Sequence, residues 1–85
     1  VTLKVELSRA AEKQLENIPA SDQKKIVKKA EKLTDNPFPS GHEKLKGEDH
    51  LYRIRQGDYR ILYSVFEKKL LVLVVKIGHR REVYR

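Results

Sequence analysis

The sequence predicts a one-domain α+β fold. Its order is an N-terminal strand, an antiparallel helical hairpin, then a mostly antiparallel sheet of three to four strands, β-α-α-β-β-β. Three observations lead there. Residues 1–7, VTLKVEL, set Val1, Leu3, Val5 and Leu7 against Thr2, Lys4 and Glu6, the period of a strand with one buried face. Apolar residues then recur at helical spacing on both sides of Pro19. From residue 51, three runs rich in strand-forming residues are separated only by short turns. A chain of 85 residues with no internal repeat supports a single modest core, so residues 1–85 form one domain.

The elements follow in order. Ser8 is a candidate N-cap for RAAEKQLENI, in which Ala11, Leu15 and Ile18 share a face and Pro19 ends the helix. Ser21 or Asp22 caps a second helix with Ile26, Val27, Ala30 and Leu33 as its apolar stripe. Its outer face carries Lys24, Lys25, Lys28, Lys29 and Lys32, and Asn36-Pro37 stops it. So short a connection between helices implies a hairpin. NPFPSGHEKLKGEDH reads as a loop with Leu45 dipping into the core. LYRIR then runs to a tight turn at Gln56-Gly57-Asp58, YRILYSVF to a turn at residues 67–69, and LLVLVVKI to Gly78. A short extended piece, REVY, closes the chain.

Charge is unevenly distributed. Residues 1–50 carry a net +1, whereas residues 51–85 carry +6 of the total +7. Nine of the ten cations in the first part are lysine, and six of the nine in the second are arginine. Arginine's planar fork suits bidentate contacts with phosphate, so the C-terminal part reads as a polyanion-binding surface. Parity places its members. Leu51, Arg53 and Arg55 share one face of their strand, opposite Tyr52 and Ile54. Tyr59, Ile61, Tyr63 and Val65 form the core set of the next strand, which puts Arg60 opposite them. The helical hairpin covers one face of the sheet, so the three arginines meet on the other. Arg80 and Arg81 follow the longest apolar strand, whose end lies near the same groove.

Several chemistries are set aside. The chain has no cysteine, which excludes disulfides and thiolate chemistry and fits a reducing cytoplasm. His42, His50 and His79 lack metal-ligand spacing, so neither a metal nor any other cofactor is expected. No phosphate-binding glycine loop or nucleophile elbow occurs. LLVLVV is too short to span a bilayer, and residues 1–7 lack a signal-peptide pattern. What remains is a metal-free cluster of Arg, Tyr and His. RNA cleavage by its own 2′-hydroxyl fits such a cluster. Fixed cations stabilise the phosphorane, a base accepts the 2′-proton, and an acid protonates the departing 5′-oxygen. Arginine supplies the first role, and His79 is the cluster's neutral-pH titrating residue. Tyr84 can stack on a base or donate a proton.

The stretch KLKGEDHLYRIRQGDYRILYSVFEKKLLVLVVKIGHRREVYR, with the opening strand, helical hairpin and NP before it, resembles the RelE toxins of the RelE/ParE toxin superfamily. The resemblance implies the toxin of a type II toxin–antitoxin system: a ribosome-dependent mRNA endonuclease acting in the A site, with ribosome and mRNA as partners and inactivation by a cognate RelB-type antitoxin. Carried over residue by residue, it assigns the two basic strand positions to Arg53 and Arg55, the next-strand arginine to Arg60, the basic residue after the glycine to Arg80, and the terminal tyrosine to Tyr84. Some relatives have a lysine proton acceptor at the strand positions; here both are arginine, which shifts the base towards His79. Arg81 and the lysines Lys24, Lys25, Lys28, Lys29, Lys32, Lys44 and Lys46 are the expected RNA contacts. Two other readings stand beside this one: a ParE-like toxin that poisons gyrase, and a non-catalytic RNA-binding module.

Overall fold

Why the chain folds as it does is clearest from its central strands. A computed structural model describes residues 2–47 and 50–79. β1 (Lys4–Leu7) leads into α1 (Arg9–Glu16) and α2 (Ala20–Glu31), which a 3₁₀ turn at Lys32–Thr34 extends. β2 (Glu43–Lys44), β3 (Leu51–Gln56), β4 (Tyr59–Phe66) and β5 (Leu71–His79) follow. These make a five-stranded sheet in the order β1-β5-β4-β3-β2, antiparallel except where β1 runs parallel to β5. The α+β class stands.

Alternation in β3, β4 and β5 drives the packing. Register aligns Ile54, Ile61 and Ile77 in one row and Tyr52, Tyr63 and Val74 in the next, all on the helix side. Ala11, Ile18, Ile26, Ala30 and Leu33 close over them. Buried aliphatic area of this kind stabilises by roughly 25 cal/mol per Å². Tyr63 is fully buried and keeps its polar end satisfied by donating its hydroxyl to the Pro37 carbonyl at 2.7 Å. Burial pushes this hydroxyl's pKa up to about 12, with Tyr52 adding to the shift.

Local chemistry sets the ends of the elements. Ser8 caps α1 as its sequence position predicts, accepting from Ala11 N–H at 3.1 Å. α2 differs: it begins at Ala20 behind Pro19, and neither Ser21 nor Asp22 is its cap. The Pro19 carbonyl takes the N–H groups of Asp22 and Gln23, while Gln23 Nε2 turns back to the Ile18 carbonyl at 2.8 Å. Pro19 is itself the N-cap, with an extended ψ of 142°, so the helix starts directly after it and three residues suffice to reverse the chain. Val27, expected in the apolar stripe, is instead 40% exposed, because Ile26, Ala30 and Leu33 already fill the face towards the sheet.

The long loop also departs from expectation. Glu43–Lys44 form a short edge strand on β3, and Leu45, expected in the core, is half-buried but not among the residues packed against it. The loop is held by ring contacts: Phe38 meets Tyr52 edge-on at 5.1 Å, and Tyr52 stacks on Tyr63 at 5.8 Å. His42 Nδ1–H donates to the Pro39 carbonyl at 2.8 Å, so this histidine serves the loop's structure. The predicted REVY segment lies outside the described residues.

Candidate nucleic-acid cleft

The β3–β4 hairpin builds the site. Gln56 pairs with Tyr59, leaving Gly57 and Asp58 as a two-residue turn in which Gly57 takes φ 60°, the left-handed region glycine adopts without strain. This turn fixes the register that pairs Arg55 with Arg60, and Arg60 in turn pairs with Gly78 on β5. Cross-strand partners share a face, so two guanidinium groups stand side by side away from the helices. Gly78 presents no side chain beside them. The next row on that face runs Arg53, Leu62, Lys76.

Like charges directly opposite one another destabilise a sheet. Backbone and burial hold these two apart in character. Arg55 is exposed and donates its Nε–H to the Gly57 carbonyl at 2.9 Å, curling over the turn. Arg60 lies deeper, with only 7% of its surface exposed. Arg53 Nη2 forms an ion pair with Glu43 Oε1 at 3.0 Å. Together with Gly41 and Glu43, the three arginines line an open cleft of about 300 Å³. The parity argument thus holds for all three.

His79 is a correction. It was expected beside the arginines, but it pairs with Tyr59 and meets that ring edge-on at 5.8 Å, on the helix side of the sheet. There it lines hollows with Gln14, Asn17, Asp22 and Lys25. One residue of register separates it from Gly78, and in a strand one residue is enough to change faces. Arg80, Arg81 and Tyr84 lie outside the described residues. The lysines fall elsewhere again. Lys24, Lys25 and Lys28 are exposed on α2, Lys29 is half-buried there, and Lys32 is exposed at the start of the 3₁₀ turn, all across the sheet from the cleft. Lys44 and Lys46 are exposed on and just after the edge strand that borders it.

Two residues on the cleft face went unnoticed in the sequence. In the sequence Glu43 belongs to a charged loop, and only its pairing with Arg53 brings it into the cleft. Lys76 was hidden within an apolar run. A short strand signal at HEK, alternating with LYRIR, is the cue that was available for Glu43. Among the described residues lining this cleft, Glu43 supplies the one carboxylate, and a carboxylate can accept a proton where a guanidinium cannot. Fixed cations, one carboxylate and an open groove suit a phosphodiester. No cluster of metal-binding side chains occurs among the described residues. No helix in them is long and apolar enough to cross a membrane.

Comparisons agree with this architecture. Residues 5–84 match the family described as the ParE toxin of the type II toxin–antitoxin system parDE. A RelE1 toxin homologue of Methanocaldococcus jannaschii is 33% identical over 84 residues, covering 95% of this chain and 93% of its own. The RelE of the archaeal RelE–RelB complex from Pyrococcus horikoshii superimposes with a TM-score of 0.82 at 29% identity, covering 94% of this chain and 97% of that one. The isolated RelE toxin of Escherichia coli gives 0.80 at 26% identity, over 96% and 90% of the two chains. Fold, register and sequence therefore converge, and the chain belongs to the RelE/ParE superfamily as a RelE-type toxin of a type II toxin–antitoxin system.

Proposed function

We propose that this chain is a metal-independent endoribonuclease that cuts mRNA in the ribosomal A site and so stops translation in the cytoplasm. The row Arg55, Arg60 and Gly78 carries the reading: two arginines are cross-strand partners on the sheet face opposite the helices, one exposed and one held by burial at the bottom of an open cleft. The 2′-oxygen attacks phosphorus, the bond to the 5′-oxygen breaks, and a 2′,3′-cyclic phosphate remains. Arg60, held rigid by burial, and Arg55 bind the extra negative charge of the phosphorane, with Arg80 as the third cation by resemblance. Glu43 takes the 2′-proton, oriented by Arg53. Tyr84 returns a proton to the departing oxygen, and Arg81 and the α2 lysines contact ribosomal RNA.

A RelB-type antitoxin is the proposed partner, as in the Pyrococcus horikoshii complex. Its acidic groups would pair with the cleft arginines, and co-expression with the neighbouring reading frame should rescue growth. Primer extension on ribosome-bound mRNA tests the activity directly. Cuts within A-site codons are expected, and none from free RNA. Glu43→Gln should lower the single-turnover rate by roughly 10²–10⁴-fold, the range typical of a lost general base, while Glu43→Asp recovers part of it. Unchanged cleavage by Glu43→Gln would remove Glu43 from the chemistry. The match to the ParE description favours one second reading, inhibition of gyrase. A supercoiling assay in which the chain stops gyrase, with mRNA left intact, would select it.

A further inference from the structure

β1 ends at Leu7, opposite Val74, so the rest of β5 loses its parallel neighbour. Side chains of α1 and its cap take over. Ser8 N–H donates to the Val74 carbonyl at 2.8 Å, and Ser8 Oγ donates to the Val75 carbonyl at 2.9 Å. Ile77 N–H donates to Gln14 Oε1 at 2.7 Å. Lys76 sits between these clamps. At the same point the register with β4 shifts, Leu62 pairing with Lys76 but Tyr63 with Val74, so Val75 is the extra residue of a bulge. Bulges re-aim neighbouring side chains and are common beside active sites. Two long-range bonds from α1 thus hold the backbone on either side of one lysine.

That lysine is half-buried on β5, where β4 lies on one side and the bonds from Ser8 and Gln14 on the other, and it is on the face away from the helices. It faces Leu62, which separates it from Arg53, and it is the diagonal neighbour of Arg60. Diagonal positions in an antiparallel pair lie about 7–8 Å apart. It does not line the arginine cleft itself but stands at its margin. On this face β3, β4 and β5 present no acidic side chain among the described residues. A strand of RNA with its scissile phosphate over Arg60 would carry an adjoining phosphate towards β5. We propose that Lys76 binds the mRNA phosphate next to the scissile one, as a binding residue that takes no part in proton transfer. The inference rests on the nuclease reading above.

The test uses the full chain and stalled ribosomes programmed with mRNA that carries a 2′-deoxy sugar at the cleavage position, so that binding is read without cutting. One set of mRNAs has a neutral methylphosphonate in place of the phosphate on either side of the scissile one. Lys76→Ala should weaken binding about ten-fold and flatten the salt dependence by about one phosphate contact, and Lys76→Arg should restore both. For the wild type, one of the two methylphosphonates should cost a similar factor; for Lys76→Ala it should cost nothing further. With cleavable mRNA, Lys76→Ala should reach the wild-type rate at saturation. Binding by Lys76→Ala equal to wild type, or a methylphosphonate penalty that persists in that variant, overturns the assignment. Loss of rate at saturation would make Lys76 part of the chemistry and also overturns it. A wild type that binds but never cuts cleavable mRNA refutes the nuclease reading, while the methylphosphonate comparison still judges Lys76.

Discussion

The two faces of the sheet obey different rules. On the helix side the central rows are apolar or aromatic, and Ile54, Ile61 and Ile77 meet across three strands as a core should. On the other side, one residue along each strand, the corresponding row is Arg55, Arg60 and Gly78. The same backbone ladder carries both. Stability explains the first row and argues against the second, since paired cations repel and a buried guanidinium loses hydration. A local violation of the folding rules, kept in register by a glycine turn, is where function is expected.

Breaking the charged row should give the largest effect. Arg60→Ala removes one preorganised cation and should lower cleavage on ribosomes by roughly 10²–10³-fold, about 3–4 kcal/mol in the barrier. The circular dichroism spectrum should be retained. A variant that cuts within a few-fold of wild type would show that the row has no catalytic part.

The apolar face has its own weak point in Tyr63, and pH finds it. Its hydroxyl is held neutral, with a pKa of about 12 against the ordinary 10. The sign follows from linkage: this contribution is complete below pH 10 and is lost as pH rises from 10 towards 12, because the unfolded chain ionises first. The loss is at most about 3 kcal/mol for a shift of this size. Urea unfolding across that range should therefore show a steeper decline for wild type than for Tyr63→Phe, which cannot ionise. At neutral pH the variant should be about 1 kcal/mol less stable through loss of the bond to Pro37. Parallel declines would mean that Tyr63 is not the group responsible.

The smallest effect on the fold belongs to the lysines of α2, which lie on neither sheet face. Replacing Lys24 and Lys28 together by Gln should change stability by no more than about 0.5 kcal/mol, as exposed positions usually do. Ribosome binding should nevertheless weaken and lose part of its salt dependence. Binding that is unchanged over a salt series would leave these lysines as a solvated surface.

Much of this could be read from the sequence because it depends on period alone. Alternation assigned Arg53, Arg55 and Arg60 to one face and Tyr59, Ile61 and Tyr63 to the other, and Ser8 announced its cap. Elsewhere local signals competed. Pro19 pre-empted Ser21 and Asp22 at the start of α2, and Val27 lost its place in the stripe once Ile26, Ala30 and Leu33 had filled the contact. His79 shows the limit of proximity in sequence: adjacent to Gly78, it faces the other way.

By itself, then, the sequence determined what its short-range periods can encode: the order of the longer elements, the faces of β3 and β4, and the cationic character of the side opposite the helices. Tertiary structure decided everything that depends on which strand lies beside which. The ion pair of Glu43 with Arg53 exists because residues ten apart in the chain meet across a strand pair. The position of Lys76 exists because Ser8 and Gln14, more than sixty residues away, complete the hydrogen bonds that β1 is too short to supply. Backbone groups removed from water must find partners wherever the fold brings them, and no local pattern records which partner that will be.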